Sequence, residues 1–154
     1  MTARADAPGW LLGVQLLFAS RALFDELHRS LAAAGHNRLR PPHGFLFQAL
    51  GPDGATASEV AGRLGVTKQA TRLMIEELAE LGYVERGEDP ADGRRRPVRL
   101  TARGDDALRR SETIFDELRD EVAAELGPAG LTQGLQLLAV IESRYGPVPL
   151  RPVW

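Results

Sequence analysis

Apolar residues recur at helical spacing near both ends of the chain. Over residues 9–34 they form two neighbouring stripes, one at Leu12, Leu16, Leu23 and Leu27 and one, every seven residues, at Trp10, Leu17, Phe24 and Leu31. A second helical pattern opens at Thr101, breaks at Gly127-Pro128 and continues to Tyr145. The first helix has an apolar face too wide for a single contact, so we expect it to pack on its own chain and on another helix at once.

Capping signals predict shorter elements between these helices. Thr56 and Glu59 form a capping-box pattern that starts a helix ending near Gly65, and Thr67 can cap a second helix that ends at Gly82. A further short helix is predicted over 44–50, after a break at 38–42, and residues 51–54 form a turn. We also expect residues 55–56 to make a one-bridge strand with the hairpin that follows.

That hairpin carries a local positive charge. Residues 83–86 and 97–100 alternate apolar and polar side chains as strands do, and Asp92-Gly93 supplies a turn between them. Five arginines and no acid lie between Arg94 and Gly104, although the whole chain has a net charge of -2. The alternative is that these arginines only keep an edge strand from aggregating. Two short helices followed by this hairpin favour a winged helix-turn-helix that binds nucleic acid.

The second short helix has one face suited to reading bases. Its apolar side carries Met74, Ile75, Leu78 and Leu81, which leaves Gln69, Arg72, Leu73 and Glu76 on the other side. Gln can pair with adenine, Arg with guanine, and Thr can contact a thymine methyl or a phosphate. The predicted DNA contacts of the helix and the wing are Thr67, Lys68, Gln69, Thr71, Arg72, Arg94, Arg95 and Arg96. The alternative for the helix residues is that they are ordinary exposed residues and do not contact DNA.

The arrangement resembles the MarR family of bacterial transcription regulators. The similarity lies in Asp-Pro-Ala-Asp-Gly-Arg at 89–94, Val-Arg-Leu-Thr-Ala-Arg-Gly at 98–104, and the start and exit of the second helix at 67–70 and 78–86. It implies that Asp92 orients Arg94 for the minor groove and that the terminal helices join two subunits. Many members have a polar residue at the position of Leu73, and a small aliphatic core residue at that of Thr71.

Composition and motifs narrow the function classes. The 154 residues include no cysteine, which excludes disulfides, zinc–thiolate sites and thiol redox switches. The chain has no HExxH, no GxSxG, no Gly-rich phosphate loop and no helical pairing of its three histidines. We therefore expect no enzyme, cofactor or metal site. The apolar run at 10–19 lacks a cleavage site and is too short to cross a membrane, so we expect a cytoplasmic protein.

The sequence thus predicts a mainly α protein with a small β-hairpin, a winged helix-turn-helix flanked by long terminal helices. One domain spans 1–154, with dimerisation helices at 9–34 and 101–146, the DNA-binding lobe at 42–100 and a Pro-rich tail at 147–154. We predict a homodimeric repressor that binds a pseudo-palindromic operator in double-stranded DNA and is released by a small-molecule effector.

The effector and two other functions remain as separate hypotheses. Candidates for an effector pocket are Trp10, His43, Phe45 and Phe47, and plain core packing is the alternative for each. A non-specific architectural DNA-binding protein would usually be basic throughout, whereas here the charge is local. A winged helix used as a protein-interaction module would not need five arginines in its hairpin. Both functions stay open.

Overall fold

Five helices and one hairpin make up the part of the chain that the computed structural model describes, residues 8–87 and 96–146. In chain order they are α1 (Gly9–Ala33), α2 (Pro41–Leu50), α3 (Ala57–Leu64), α4 (Lys68–Glu80), β1 (Val84–Arg86), β2 (Val98–Leu100) and α5 (Ala102–Tyr145). The predicted fold class is confirmed. None of these described helices combines the length and the apolar character needed to span a membrane.

The predicted caps of α3 and α4 are confirmed. The Thr56 hydroxyl accepts a hydrogen bond from the Glu59 backbone N–H at 3.3 Å, and the Glu59 carboxylate accepts one from the Thr56 N–H at 2.7 Å. α3 ends at Leu64 with Gly65 as its C-cap, and Thr67 then caps α4 by accepting from the Ala70 N–H at 3.1 Å. Each cap satisfies backbone groups that a helix end leaves without partners, which fixes where the two helices begin.

The start of α2 differs from the prediction. The helix begins at Pro41 and not at Gly44, so the two prolines lie inside its first turn. Proline is tolerated there because the first N–H groups of a helix have no intrahelical acceptor, and its fixed φ already suits the helix. Pro41 and Pro42, which were predicted to be part of a break, are therefore the first residues of α2.

The hairpin is extended by a third short segment. β1 and β2 pair antiparallel, with Val84 opposite Leu100 and Arg86 opposite Val98. Ala55 forms an isolated bridge to Val98, with N···O distances of 3.0 and 2.8 Å. The predicted one-bridge strand is confirmed, and it holds the start of α3 against the base of the wing.

The core lies between α2, α3, α4 and the hairpin. Its most buried side chains are Leu46, Leu50, Val60, Leu64, Ile75, Leu78 and Tyr83. α5 joins this core at Gly104, where a Cβ atom would lie 2.2 Å from the backbone oxygen of Tyr83. Only glycine fits so close an approach, so this position sets how α5 leaves the hairpin.

The far parts of α1 and α5 contribute little to that core. α1 buries only Leu27 and Leu31, and α5 only Gly104 and Ala107. α5 is interrupted at Gly127, which has φ 71° and ψ 164°, so the predicted break is present as a kink within one long element. We call residues 9–23 and 122–145 the distal segments and residues 41–100 the winged lobe.

Candidate nucleic-acid interface

α4 has one buried and one solvent-facing side. Thr71, Ile75 and Leu78 are buried against the lobe. The opposite side presents Lys68, Gln69, Arg72, Leu73 and Glu76 to solvent. This division follows the helical repeat, because positions 71, 75 and 78 share one face and positions 69, 72, 73 and 76 share the other. The exposed side therefore carries a row of side chains that could enter a DNA groove.

A groove of about 420 Å³ lies between the N-terminus of α3, α4 and the hairpin. Among its lining residues are Arg72 on α4, Arg86 on β1 and Arg96 just before β2. Glu76 also lines it and lies 3.6 Å from Arg86, measured from Oε1 to Nη2. Among the described lining residues, three guanidinium groups stand against one carboxylate, so this part of the groove is positive, as a site for backbone phosphates requires.

The structure brings four of the predicted site residues to this surface. Lys68, Gln69 and Arg72 are exposed on α4, and Arg96 lies on the wing side of the groove. Thr67 is exposed at the helix start, where its hydroxyl serves as the cap. Asp92, Arg94 and Arg95 lie outside the described residues. Arg86 was not among the predicted site residues, because its sequence position indicated only a strand.

Thr71 does not fit its predicted role. Its side chain is fully buried, and its hydroxyl donates a hydrogen bond to the Thr67 backbone oxygen at 3.1 Å. A side chain with no exposed surface cannot contact a base or a phosphate without unpacking the lobe. We therefore correct this assignment: in the structure Thr71 is a core residue of α4.

Two of the five arginines between Arg94 and Gly104 lie away from the groove. The Arg99 Nε donates to the Asp53 backbone oxygen at 3.2 Å, across the turn that precedes α3. The Arg103 guanidinium lies over the Tyr83 ring, 4.8 Å from its centroid, and donates to the Gly35 backbone oxygen at 3.0 Å. A cation over an aromatic face is stabilising, so Arg103 fastens α5 to the lobe.

A buried histidine connects the end of α1 to the lobe and to α5. The His36 Nδ1 lies 3.0 Å from the Tyr83 hydroxyl, and Nε2 lies 3.1 Å from the Asp106 Oδ2. Since the carboxylate can only accept, Nε2–H donates to it, and in the neutral ring Nδ1 is then the acceptor for the Tyr83 hydroxyl. Hydrogen bonds from Arg110 and His36 lower the pKa of Asp106 from its usual 3.8. This network fixes the lobe relative to both terminal helices.

His43 joins α2 to α4. Its Nδ1 accepts from the Arg40 N–H at 3.2 Å, and its Nε2 lies 3.5 Å from the Glu77 Oε2. Arg40 and Glu77 also form an ion pair. Burial of the ring lowers the pKa of His43 below 6.5, although the nearby Glu77 carboxylate opposes that shift. The histidine therefore supports the packing of α4 from the side away from its exposed face.

A cavity of about 80 Å³ lies between α1, α2 and α5. Its lining includes Phe24, Phe45, Phe47 and Phe115, with His28 among the polar groups. The cavity contains two of the four predicted effector candidates, Phe45 and Phe47. The other two do not fit: His43 is not part of its lining, and Trp10 lies at the start of α1 with 68% of its surface exposed.

The fold and this surface define a winged helix-turn-helix protein, in which α3 and α4 precede a basic wing. Residues 42–95 match the model of the MarR family. The similarity to that family lies in this winged-helix segment, which is less than half of the chain.

Similar proteins agree with the fold. The chain is 33% identical over 87 residues to the LexA repressor of Deinococcus radiodurans, a match covering 55% of this chain and 40% of that protein. It thus spans about two fifths of that relative's length. The structure of RV1404 from Mycobacterium tuberculosis is similar with a TM-score of 0.76 and 23% identity, covering 95% of this chain and 100% of that one. The MepR–DNA complex of S. aureus is similar with a TM-score of 0.66 and 20% identity, covering 86% and 96%.

Proposed function

We propose that this chain is a homodimeric regulator that binds a pseudo-palindromic operator in double-stranded DNA, represses transcription and is released by a small molecule. The observation that carries the proposal is the positive groove beside the exposed face of α4, lined by Arg72, Arg86 and Arg96. Arginine binds phosphate through two parallel hydrogen bonds, and Gln69 and Arg72 are of the types that pair with base edges. The fold is shared with MepR, which was solved bound to DNA. Such a protein acts in the cytoplasm, where its operator lies.

The distal segments support a homodimer. They carry thirteen exposed large apolar side chains: Trp10, Leu12, Val14, Leu17, Phe18, Leu23, Val122, Leu126, Leu135, Leu137, Leu138, Val140 and Tyr145. An exposed apolar surface of this extent is a site for contact with another protein. A two-fold dimer buries the same surface of both subunits and presents two copies of α4 to half-sites about 34–36 Å apart.

The cavity between α1, α2 and α5 supports effector release. It lies where the terminal helices meet the winged lobe, and aromatic rings of α1, α2 and α5 surround it. A small molecule that binds there more tightly in one lobe position than in another would shift the population towards that position. If that position no longer matches two successive grooves of DNA, affinity for the operator falls by the same differential free energy.

Titration against DNA tests the proposal. Fluorescence anisotropy would compare the DNA upstream of the gene with a shuffled duplex at several salt concentrations. We expect tight binding to the upstream DNA alone, with affinity that falls steeply as salt rises because phosphate contacts release counterions. Equal binding to both duplexes would indicate an architectural protein. If neither duplex binds at low salt, selection from a random duplex pool decides whether the chain binds DNA or serves as a protein-interaction module.

Single substitutions separate the two kinds of contact. Arg94→Ala should weaken binding to specific and random duplexes alike, because the wing is expected to contact the minor groove and the backbone. Gln69→Ala and Arg72→Ala should also change base preference, by about 1–3 kcal/mol for each lost bidentate contact. Arg119→Ala is the matched control, since this arginine pairs with Asp116 and Asp120 on α5. Equal losses on both duplexes for all three variants would contradict the assigned roles.

A further inference from the structure

One exposed apolar side chain is not explained by the proposed dimer. Leu73 has 61% of its surface exposed. Over residues 24–87 and 96–121 it is the one large apolar side chain that is exposed, and all the others lie in the distal segments. Single exposed leucines are common on protein surfaces, so exposure alone has no meaning here. The position of Leu73 on α4 is the informative part.

Leu73 lies at the centre of the exposed face of α4. Gln69 precedes it by four residues and Glu76 follows by three, which places all three on one stripe of the helix. Arg72 is adjacent and lines the positive groove. When this face enters a major groove, the flanking polar side chains can find hydrogen-bonding partners, whereas the leucine needs an apolar one.

The major groove offers an apolar partner at one kind of base pair. Guanine, cytosine and adenine present donors and acceptors there, and only thymine presents a methyl group. A leucine pressed against a G·C edge would remove polar groups from water without replacing their hydrogen bonds, which is unfavourable. We infer that Leu73 contacts a thymine methyl in each half-site and so specifies a T·A pair at the position facing the middle of α4.

This inference rests on the proposed DNA-binding function and predicts a measurable effect. Deoxyuridine keeps every hydrogen-bonding group of thymine and lacks only the methyl. Loss of one buried methyl should weaken binding about fourfold in one half-site, or about 15-fold when both half-sites of a dimer are changed. No substitution of a hydrogen-bonding residue would reproduce this dependence on a single carbon atom.

The test uses the full chain and an operator obtained by selection from a random duplex pool. Each thymine of the half-site is replaced in turn, symmetrically, by deoxyuridine, and the Kd is measured by anisotropy at one salt concentration. For the wild type we expect one position with a loss of about 15-fold. Leu73→Ala should bind the thymine and deoxyuridine duplexes equally, while Leu73→Met should keep the discrimination. Arg72→Ala is the neighbouring control, which should weaken binding to both duplexes and keep their ratio.

The outcomes separate this inference from the proposed function. Tight operator binding without a methyl-sensitive position, or a selected half-site without thymine, would leave the regulator intact and overturn the role of Leu73. The same holds if Leu73→Ala retains the full preference for thymine. Failure of the wild type to select any duplex would overturn the proposed function together with the inference. Because Leu73 is exposed, Leu73→Ala should keep the wild-type circular dichroism spectrum and unfolding midpoint.

Discussion

The winged lobe and the distal segments differ in where their apolar side chains lie. In the lobe, Leu46, Leu50, Val60, Leu64 and Leu78 are each 0–1% exposed. In the distal segments, Trp10 and Phe18 are 68% and 65% exposed, and Tyr145 is 76% exposed. Both regions are rich in apolar residues, yet only the lobe encloses its own. The lobe therefore holds its fold within one chain, whereas the distal segments need a second surface to exclude water.

This difference assigns separate physical tasks to the two regions. The lobe presents α4 and the groove on a rigid support, because the capped helices and Gly104 fix its parts relative to one another. In the proposed dimer, the distal segments would determine how two lobes are held. Stability of the lobe and strength of association should therefore respond to different substitutions.

The largest effect that we expect comes from placing a charge in a distal segment. Phe18→Asp should prevent association, because the carboxylate would have to be buried in an apolar interface. A monomer contacts one half-site only, so operator affinity should fall by roughly 10²–10⁴ through loss of the tethered second contact. Sedimentation velocity and anisotropy would measure both changes. Asn37→Asp adds the same charge to an exposed loop and should alter neither. A dimeric Phe18→Asp protein with unchanged affinity would show that the interface lies elsewhere.

The next largest effect should appear when the same truncation is made in each region. Leu78→Ala removes a fully buried side chain of the lobe and should lower the free energy of unfolding by about 2–5 kcal/mol. Leu137 is 44% exposed, and Leu137→Ala should cost less than about 0.5 kcal/mol when no partner covers it. Urea unfolding in the Phe18→Asp background keeps both proteins monomeric. Equal costs at the two sites would contradict the contrast between lobe and distal segments.

The smallest effect should be a dependence of lobe stability on pH. Burial lowers the pKa of His43 from 6.5, so the folded protein disfavours the charged ring and the unfolded chain takes up the proton first. The free energy of unfolding should therefore decline as the pH falls below 6.5 and level off below the folded-state pKa. Glu77 opposes the shift, which keeps the effect small.

Two asparagine variants would identify the group responsible for this pH dependence. His43→Asn offers an acceptor to the Arg40 N–H without a titrating ring, and should remove the decline. His28→Asn should leave most of it in place, because the charge of His28 is the smallest of the causes that shift the pKa of His43. Urea unfolding between pH 5 and pH 8 would measure both. If the decline is the same in His43→Asn as in the wild type, another group causes it.

Local signals in the sequence predicted much of this fold, because caps and turns act over a few residues. Thr56 with Glu59 and Thr67 mark helix starts that the structure confirms. Pro41 and Pro42 were misread, since the same residues that stop a helix also fit its first turn. Helical periodicity alone could have placed Thr71 in the core. It lies four residues before Ile75 and seven before Leu78, which puts it on the buried face of α4.

Contacts between distant residues could not be predicted in this way. His36 lies 47 residues from Tyr83 and 70 from Asp106 along the chain, and nothing in the local sequence links them. Arg99 and Arg103 looked like part of one basic cluster, yet the chain carries their guanidinium groups to Asp53 and to Tyr83. Arg86 reaches the groove only because strand pairing places it beside α4.

The kink at Gly127 divides α5 into two helical arms. At 1.5 Å per residue, the arm from Ala102 to Leu126 is about 37 Å long. If the segment beyond the kink is clamped to a partner, a rotation of about 10° at Gly127 moves the other end of the arm by about 6 Å, or roughly two base-pair steps of DNA. A substitution such as Gly127→Ala, which the positive φ disfavours, would then alter the spacing of the preferred operator from a position outside the candidate nucleic-acid interface.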